Sequence, residues 1–236
     1  MKRIIKISLI LLLVGMAVIA AVPFLKEKRA ERKYENDFKN IQESVTEKKS
    51  DVNGLVKKNK DCIGYVEIPG TTINYPVMQT KDNPDFYLNH DFNRNYSFYG
   101  TPYLSAYCEV EKSDNLIIYG HNINGGKMFG ALEQYKDKEF FNKHGKIYFT
   151  TDKKREYEVF AVMSVNIHEF EYWKFVMARD EKECDEFVDK VEEQSLWRQG
   201  NKPKYGEQML MLSTCDNGKG DDWRIVVIGK RNMALW

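Results

Sequence analysis

Three side chains in this sequence stand where acyl-transfer chemistry could be run. Cys215 ends the apolar run Gln208-Met-Leu-Met-Leu-Ser-Thr-Cys215, and the acidic, Gly-rich stretch from Asp216 to Asp222 follows it. Such a run reads as a buried strand leading into a loop. A thiol at that junction is held by scaffold on one side and reachable on the other, as a nucleophile must be. The competing reading is a small buried hydrophobe, the commonest state of a free cysteine. His121 ends a second apolar run, Asn115-Leu-Ile-Ile-Tyr-Gly-His121, at the same relative position. Arg224 is a charge within the otherwise apolar Trp223-Arg-Ile-Val-Val-Ile228, where a guanidinium costs free energy unless an anionic group meets it. In acyl transfer the cysteine attacks, the histidine moves protons and the arginine stabilises the developing oxyanion.

These residues must be positioned by strands. Ile63 to Ile68 alternates as a strand does, and Pro69-Gly70 turns it. Ile73 to Met78 reads as an edge-type strand because Pro76 cannot donate to a ladder. Lys146 to Phe149 and Tyr157 to Met163 read as two more strands across a charged turn. Met128 to Phe141 reads as one helix, with Met128, Leu132 and Tyr135 on a face. Cys184, Phe187, Val188 and Val191 fall at i, i+3, i+4 and i+7, which predicts an amphipathic helix inside the insert from Ser164 to Tyr205. Ahead of it, His168 to Phe175 is an aromatic loop suited to walling a peptide groove. His90 on an aromatic loop reads as packing, and His144 lies at a helix end. His168 is a rival base without a strand end to position it.

The N-terminal region has a different character. Ile7 to Leu25 is apolar apart from Ser8, roughly 28 Å of helix at 1.5 Å per residue, which matches the hydrocarbon thickness of a bilayer. The run is longer than a signal-peptide core and reads as an uncleaved anchor, with Val18-Ile-Ala20 as the cleavage site of the competing reading. Basic residues flank it on both sides, so the charge rule leaves orientation open. Residues 26–60 are strongly charged, with Tyr34, Phe38, Ile41 and Val45 at helical spacing: a solvated stalk, or helices packed on the domain. The division expected is 1–25 anchor, 26–60 helical stalk and 61–236 catalytic domain.

Bulk properties exclude several classes. Lys+Arg of 36 against Asp+Glu of 35 leaves a net charge of +1, so nothing global points to nucleic acid. The four cysteines, Cys62, Cys108, Cys184 and Cys215, show no zinc spacing. They read as mostly free thiols, with a Cys62–Cys108 bridge as the alternative. No metal or other cofactor is expected.

Leu-Ser-Thr-Cys215, Tyr-Gly-His121 and the Arg224-Ile-Val-Val strand together resemble the signature of sortases, the cysteine transpeptidases of Gram-positive cell surfaces. Tyr75-Pro-Val77, Asp82-Asn83, Tyr87-Leu88, Asp91-Phe92 and Gly100-Thr101 resemble the class B pattern, with Asn83 to Tyr87 one residue longer than that pattern. The resemblance implies a mainly β fold, a closed sortase barrel of about eight strands with N-terminal helices and a helix in the insert before the cysteine strand. It also implies catalysis by Cys215, His121 and Arg224. The substrate groove would be lined by Tyr119 and Ser213, flanking the catalytic pair, and by Asn83 and Leu88 at family positions. Asp216, beside Cys215, would orient His121 or Arg224. The partners implied are the C-terminal sorting signal of an exported protein, cut after a Thr, and an amine of peptidoglycan. The enzyme would then be extracellular on a single-pass membrane anchor.

Three rivals remain in view. A membrane-anchored cysteine hydrolase or a pilin-polymerising sortase would share the fold, and a surface-binding module would carry an inert thiol. A papain-like protease has the reverse order, with its cysteine early and its histidine late.

Overall fold

The computed structural model describes residues 2–47 and 52–232. The chain divides into two compact units, Met1–Ser44 and Val45–Trp236. Helix α1 spans Lys2–Glu47, its last three residues falling past the first unit, and contains Pro23. Its apolar side chains from Ile10 to Leu25 are largely exposed, and Ile10–Lys33 is long and apolar enough to cross a membrane. The side chains of Tyr34, Phe38, Ile41 and Val45 lie outside the described residues, as do those of the expected stalk from 48 to 51.

The second unit opens with the short helix α2 (Val52–Lys58), which buries Val52 and Leu55. Eleven strands follow among the described residues. They are β1 (Cys62–Glu67), β2 (Asn74–Met78), β3 (Tyr103–Leu104), β4 (Asn115–Tyr119), β5 (Asn122–Ile123) and β6 (Lys127–Met128), then β7 (Lys146–Thr150), β8 (Lys154–Asn166), β9 (Ser195–Arg198), β10 (Met209–Cys215) and β11 (Trp223–Arg231). The main sheet runs β11-β10-β4-β3-β2-β1-β7-β8-β9, and β11 also pairs with β8. That extra pairing closes eight strands into a barrel and leaves β9 as an appendage on β8. The long β8 serves three neighbours because one edge carries β7 at Lys154–Glu158 and β9 at Ala161–Met163, while the other carries β11 along Tyr157–Asn166. Closure removes the exposed edges that an open sheet would carry. The barrel interior is apolar: Val66, Val77, Leu116, Ile118, Phe149, Leu210, Leu212 and Val227 are fully buried.

Pro76 sits in an interior strand, not an edge one. Ile68 N–H donates to the Ile73 carbonyl at 2.9 Å, and alternation from there makes Tyr65↔Pro76 a non-hydrogen-bonded pair. The missing N–H therefore faces the flank where the two-residue β3 pairs with β2 only at Met78.

The single helix expected over Met128 to Phe141 is instead two. A 3₁₀ segment covers Gly130–Lys136, then helix α3 covers Lys138–Lys143. Asp137 divides them, taking an extended conformation and accepting the Phe140 N–H at 2.8 Å as an N-cap. The insert helix α4 (Glu181–Gln194) is capped by Asp180 and buries Cys184, Phe187, Val188 and Val191, as the spacing predicts. All four cysteines are free thiols, so Cys62 and Cys108 are not bridged.

Candidate active site

Two strand registers set the site. β4 and β10 are parallel neighbours with Ser213 opposite Tyr119. Two residues further along each strand, Cys215 and His121 emerge at the same level of the barrel rim. β10 and β11 are antiparallel, with Cys215 directly opposite Arg224. Directly paired residues share a face, as do residues two apart on one strand. Ser213, Cys215 and Arg224 therefore open to the same side.

That side is a cleft of about 580 Å³. Among the residues expected from sequence, Cys215, His121, Arg224, Tyr119, Ser213 and Leu88 all line it. Cys215 is half-buried, the exposure a nucleophile needs. The backbone crosses between β4 and β10 at the rim: Gly120 N–H donates to the Ser213 carbonyl at 3.1 Å, and Thr214 Oγ1 donates to the Gly120 carbonyl at 2.7 Å. A Cβ at Gly120 would stand 2.8 Å from the Phe129 ring, so only glycine lets the chain pass here.

His121 Nε2 lies 2.8 Å from the Leu88 carbonyl oxygen. A carbonyl only accepts, so Nε2 carries a proton and Nδ1 is left to exchange one with the cleft. The exposed Phe98 ring lies parallel to the imidazole at 6.5 Å. Arg224 is half-buried and not enclosed, contrary to the expectation of a charge hidden in an apolar strand. Its Nη1 donates to the Asp221 carbonyl at 2.5 Å and the Trp223 carbonyl at 2.9 Å. These two bonds fix the guanidinium while its other N–H groups serve the cleft.

Two sequence expectations fall elsewhere. Asn83 is exposed outside the cleft, where its carbonyl accepts from Thr80 Oγ1, and its neighbours Pro84 and Asp85 line the cleft instead. Asp216 orients neither His121 nor Arg224. It is fully buried, with Lys136 Nζ at 2.6 Å from Oδ1 and Ser164 Oγ at 2.6 Å from Oδ2. Its side chain points to the other face of β10 because neighbouring strand residues alternate.

The structure adds Tyr103, which no sequence pattern marked, and brings part of the aromatic loop to the cleft as expected. Tyr103 pairs with Tyr119 across β3 and β4 and donates to Asp85 Oδ1 at 3.2 Å. A two-residue strand is too short to show periodicity. Tyr172 and Trp173, from the aromatic loop, line the cleft, and Tyr172 OH hydrogen-bonds Ser213 Oγ at 2.7 Å. Phe170 and Phe175 of that loop turn away onto Phe187 of α4. Burial pushes the Tyr172 hydroxyl up to about 12 and those of Tyr103 and Tyr119 further still, so all three are neutral at neutral pH.

The remaining histidines do other work. His90 stacks on Phe86 at 3.8 Å, His144 Nδ1 meets the Pro69 carbonyl at 2.9 Å, and His168 is exposed with Asp222 at 3.5 Å. Among the described residues no cluster of His, Cys, Asp or Glu is arranged to hold a metal ion.

Comparison with known proteins agrees with this geometry. The sequence model of the Sortase domain matches residues 66–232. Sortase B of Listeria monocytogenes is 33% identical over 187 residues, covering 78% of this chain and 75% of that protein. Sortase B of Staphylococcus aureus is 29% identical over 240 residues, covering 98% of this chain and 97% of that one. The solved Staphylococcus aureus sortase B–substrate complex matches with a TM-score of 0.76 at 26% identity, over 88% of this chain and 98% of that chain. A barrel closed through β8 and β11, a helix in the insert and a thiol, an imidazole and a guanidinium on one cleft all agree: the chain belongs to the sortase family, as a transpeptidase of the class B type.

Proposed function

We propose that this protein cleaves the C-terminal sorting signal of exported proteins after a Thr and transfers the new C-terminus to an amine of peptidoglycan. The observation that carries the reading is the register that brings Cys215, His121 and Arg224 to one end of one cleft. Cys215 Sγ attacks the Thr carbonyl carbon, and its proton goes to His121 Nδ1. The tetrahedral oxyanion is held by Arg224 N–H groups, whose carbonyl-anchored Nη1 keeps the fork aimed without reorganisation. His121 then protonates the leaving amine as the C–N bond breaks, leaving a thioester on Cys215. The incoming amine gives its proton to His121 and attacks the thioester carbon, and the thiolate departs. The exposed apolar stretch of α1 supports membrane anchorage, and membership of the sortase family supports placing the catalytic domain, residues 61–236, outside the cell. The Staphylococcus aureus relative was solved with a substrate, which supports a peptide in this cleft.

The test mixes the protein from residue 27 onward with a panel of sorting-signal peptides, read by intact mass. An acyl adduct on Cys215 that disappears in Cys215→Ala and His121→Ala is expected. Arg224→Lys is expected to slow its formation by about 100-fold, the scale of losing an oxyanion donor. Product carrying an added amine would mark transfer, whereas water-cleaved peptide alone, with amine present, would make the protein a hydrolase.

A further inference from the structure

Behind the cleft lies a polar network that the reaction steps above do not use. The Asn122 side-chain amide donates both to the Cys215 backbone carbonyl and to Glu133 Oε1, each at 2.8 Å. Glu133 Oε2 meets Lys136 Nζ at 2.5 Å, and the same ammonium reaches Asp216 Oδ1 at 2.6 Å. Ser164 of β8 closes the far side of Asp216. Glu133 Oε1 also accepts the Asn217 N–H at 3.2 Å, and Asp216 Oδ1 accepts the Gly218 N–H at 3.2 Å.

The placement of these groups along the chain is the informative part. Asn122 directly follows His121, and Asp216 directly follows Cys215. The loop from Asp216 to Asp222 leads to Arg224 and supplies the Asp221 carbonyl that holds its guanidinium. Asp216 N–H also donates to the carbonyl of Trp223, next to Arg224, at 2.9 Å, so one connected set of bonds reaches the backbone beside all three reacting side chains from the side opposite the cleft. A carboxylate enclosed as completely as Asp216 needs such partners, because an unpaired buried charge is strongly destabilising. Reacting groups tolerate misplacement of only about 0.5 Å before rate is lost.

We propose that Asn122, Glu133, Lys136 and Asp216 form a clasp that fixes the spacing of Cys215, His121 and Arg224, acting as positioning residues for the transpeptidation. The inference rests on the function proposed above. Asn122 ties the nucleophile's own carbonyl to the residue beside the base. Lys136 and Asp216 pin the loop that leads into the arginine's strand. Peptide binding lies on the cleft side and does not involve these groups.

The experiment measures single-turnover acylation against peptide concentration for the wild type, Asn122→Ala, Lys136→Met, the double variant and Lys136→Arg. Thermal unfolding and alkylation of Cys215 by iodoacetamide are followed in the same samples. Each single variant is expected to lower the maximal acylation rate at least tenfold, with half-saturation within twofold and alkylation within threefold of wild type. The double variant should be no slower than the worse single one, because members of one network do not act additively, and Lys136→Arg should recover most of the rate. Should Lys136→Met fail to fold, Asn122→Ala still decides, since it leaves the Lys136–Asp216 pair intact. Rates within twofold of wild type would overturn the clasp, as would losses that multiply and simply follow stability. A wild type that acylates with no peptide would overturn the transpeptidation reading and the clasp with it, whereas a normal wild type beside fully active variants would remove the clasp alone.

Discussion

A thiol's reactivity depends on how much of it is thiolate and how easily a reagent reaches it. Cys62, Cys108 and Cys184 are each enclosed in apolar surroundings, and burial raises all three, Cys62 to about 12. A raised value means the neutral thiol persists until the pH climbs through that raised value, so these three stay unreactive across the neutral range. Cys215 alone opens to a cleft. Iodoacetamide at pH 7 is expected to add one carbamidomethyl group to the folded protein, located at Cys215 by peptide mapping. Labelling of Cys62 should appear only as the pH approaches 12 or the protein unfolds. Equal labelling of two or more cysteines at pH 7 would contradict the burial described here. The same scale explains why Asp216 was misread from sequence. Its position beside Cys215 suggested a partner for the base, but strand alternation turns it to the opposite face, where Lys136 and Ser164 await it.

At the scale of elements, the cleft wall depends on a helix that never touches it. Tyr172 and Trp173 line the cleft, while Phe170 and Phe175, on either side of them, pack on Phe187 of α4. The Phe175 and Phe187 rings stack at 3.8 Å and 8°. The helix itself was legible from its four apolar positions, and Asp180 caps it by accepting the Glu183 N–H at 2.9 Å. Phe187→Ala is expected to cost about 3 kcal/mol by the usual cavity and transfer terms. In a domain of this size that lowers Tm by roughly 6–12 °C. Because the loop loses its anchor, half-saturation by a sorting peptide should rise by more than the maximal rate falls. Calorimetry and acylation kinetics on one sample would check both, and a stability loss with unchanged half-saturation would separate α4 from the cleft.

At the scale of the whole molecule, the apolar part of α1 stands out: its apolar side chains from Ile10 to Leu25 are exposed, and Ile10–Lys33 is long and apolar enough to cross a membrane. Such a surface is compatible with lipid and matches the length of a membrane span. The full chain is expected in the membrane fraction and released only by detergent, while a chain starting at residue 27 should be soluble and form the Cys215 adduct at an unchanged rate. An unequal rate would show that α1 contributes to the site and does more than tether it.

What the sequence determined by itself was local. An apolar run ending in a polar loop announces a strand and its mouth, so Cys215, His121 and Arg224 were each legible, as were the α4 stripe and the apolar N-terminal helix. Their chain order by itself excludes a papain-like arrangement. What tertiary structure decided was every relation between distant segments. β4 and β10 are parallel neighbours although more than 80 residues separate them, and only that register sets His121 level with Cys215. The same holds for the His121–Leu88 bond, the Tyr172–Ser213 bond and the turning of Asp216 toward Lys136. The break at Asp137 was missed for a different reason: helical spacing continues through it, and only the N-cap bond to Phe140 shows where one helix stops and the next begins. Periodicity records which face of an element is apolar, but the partner of that face is chosen by barrel closure, which no single segment encodes.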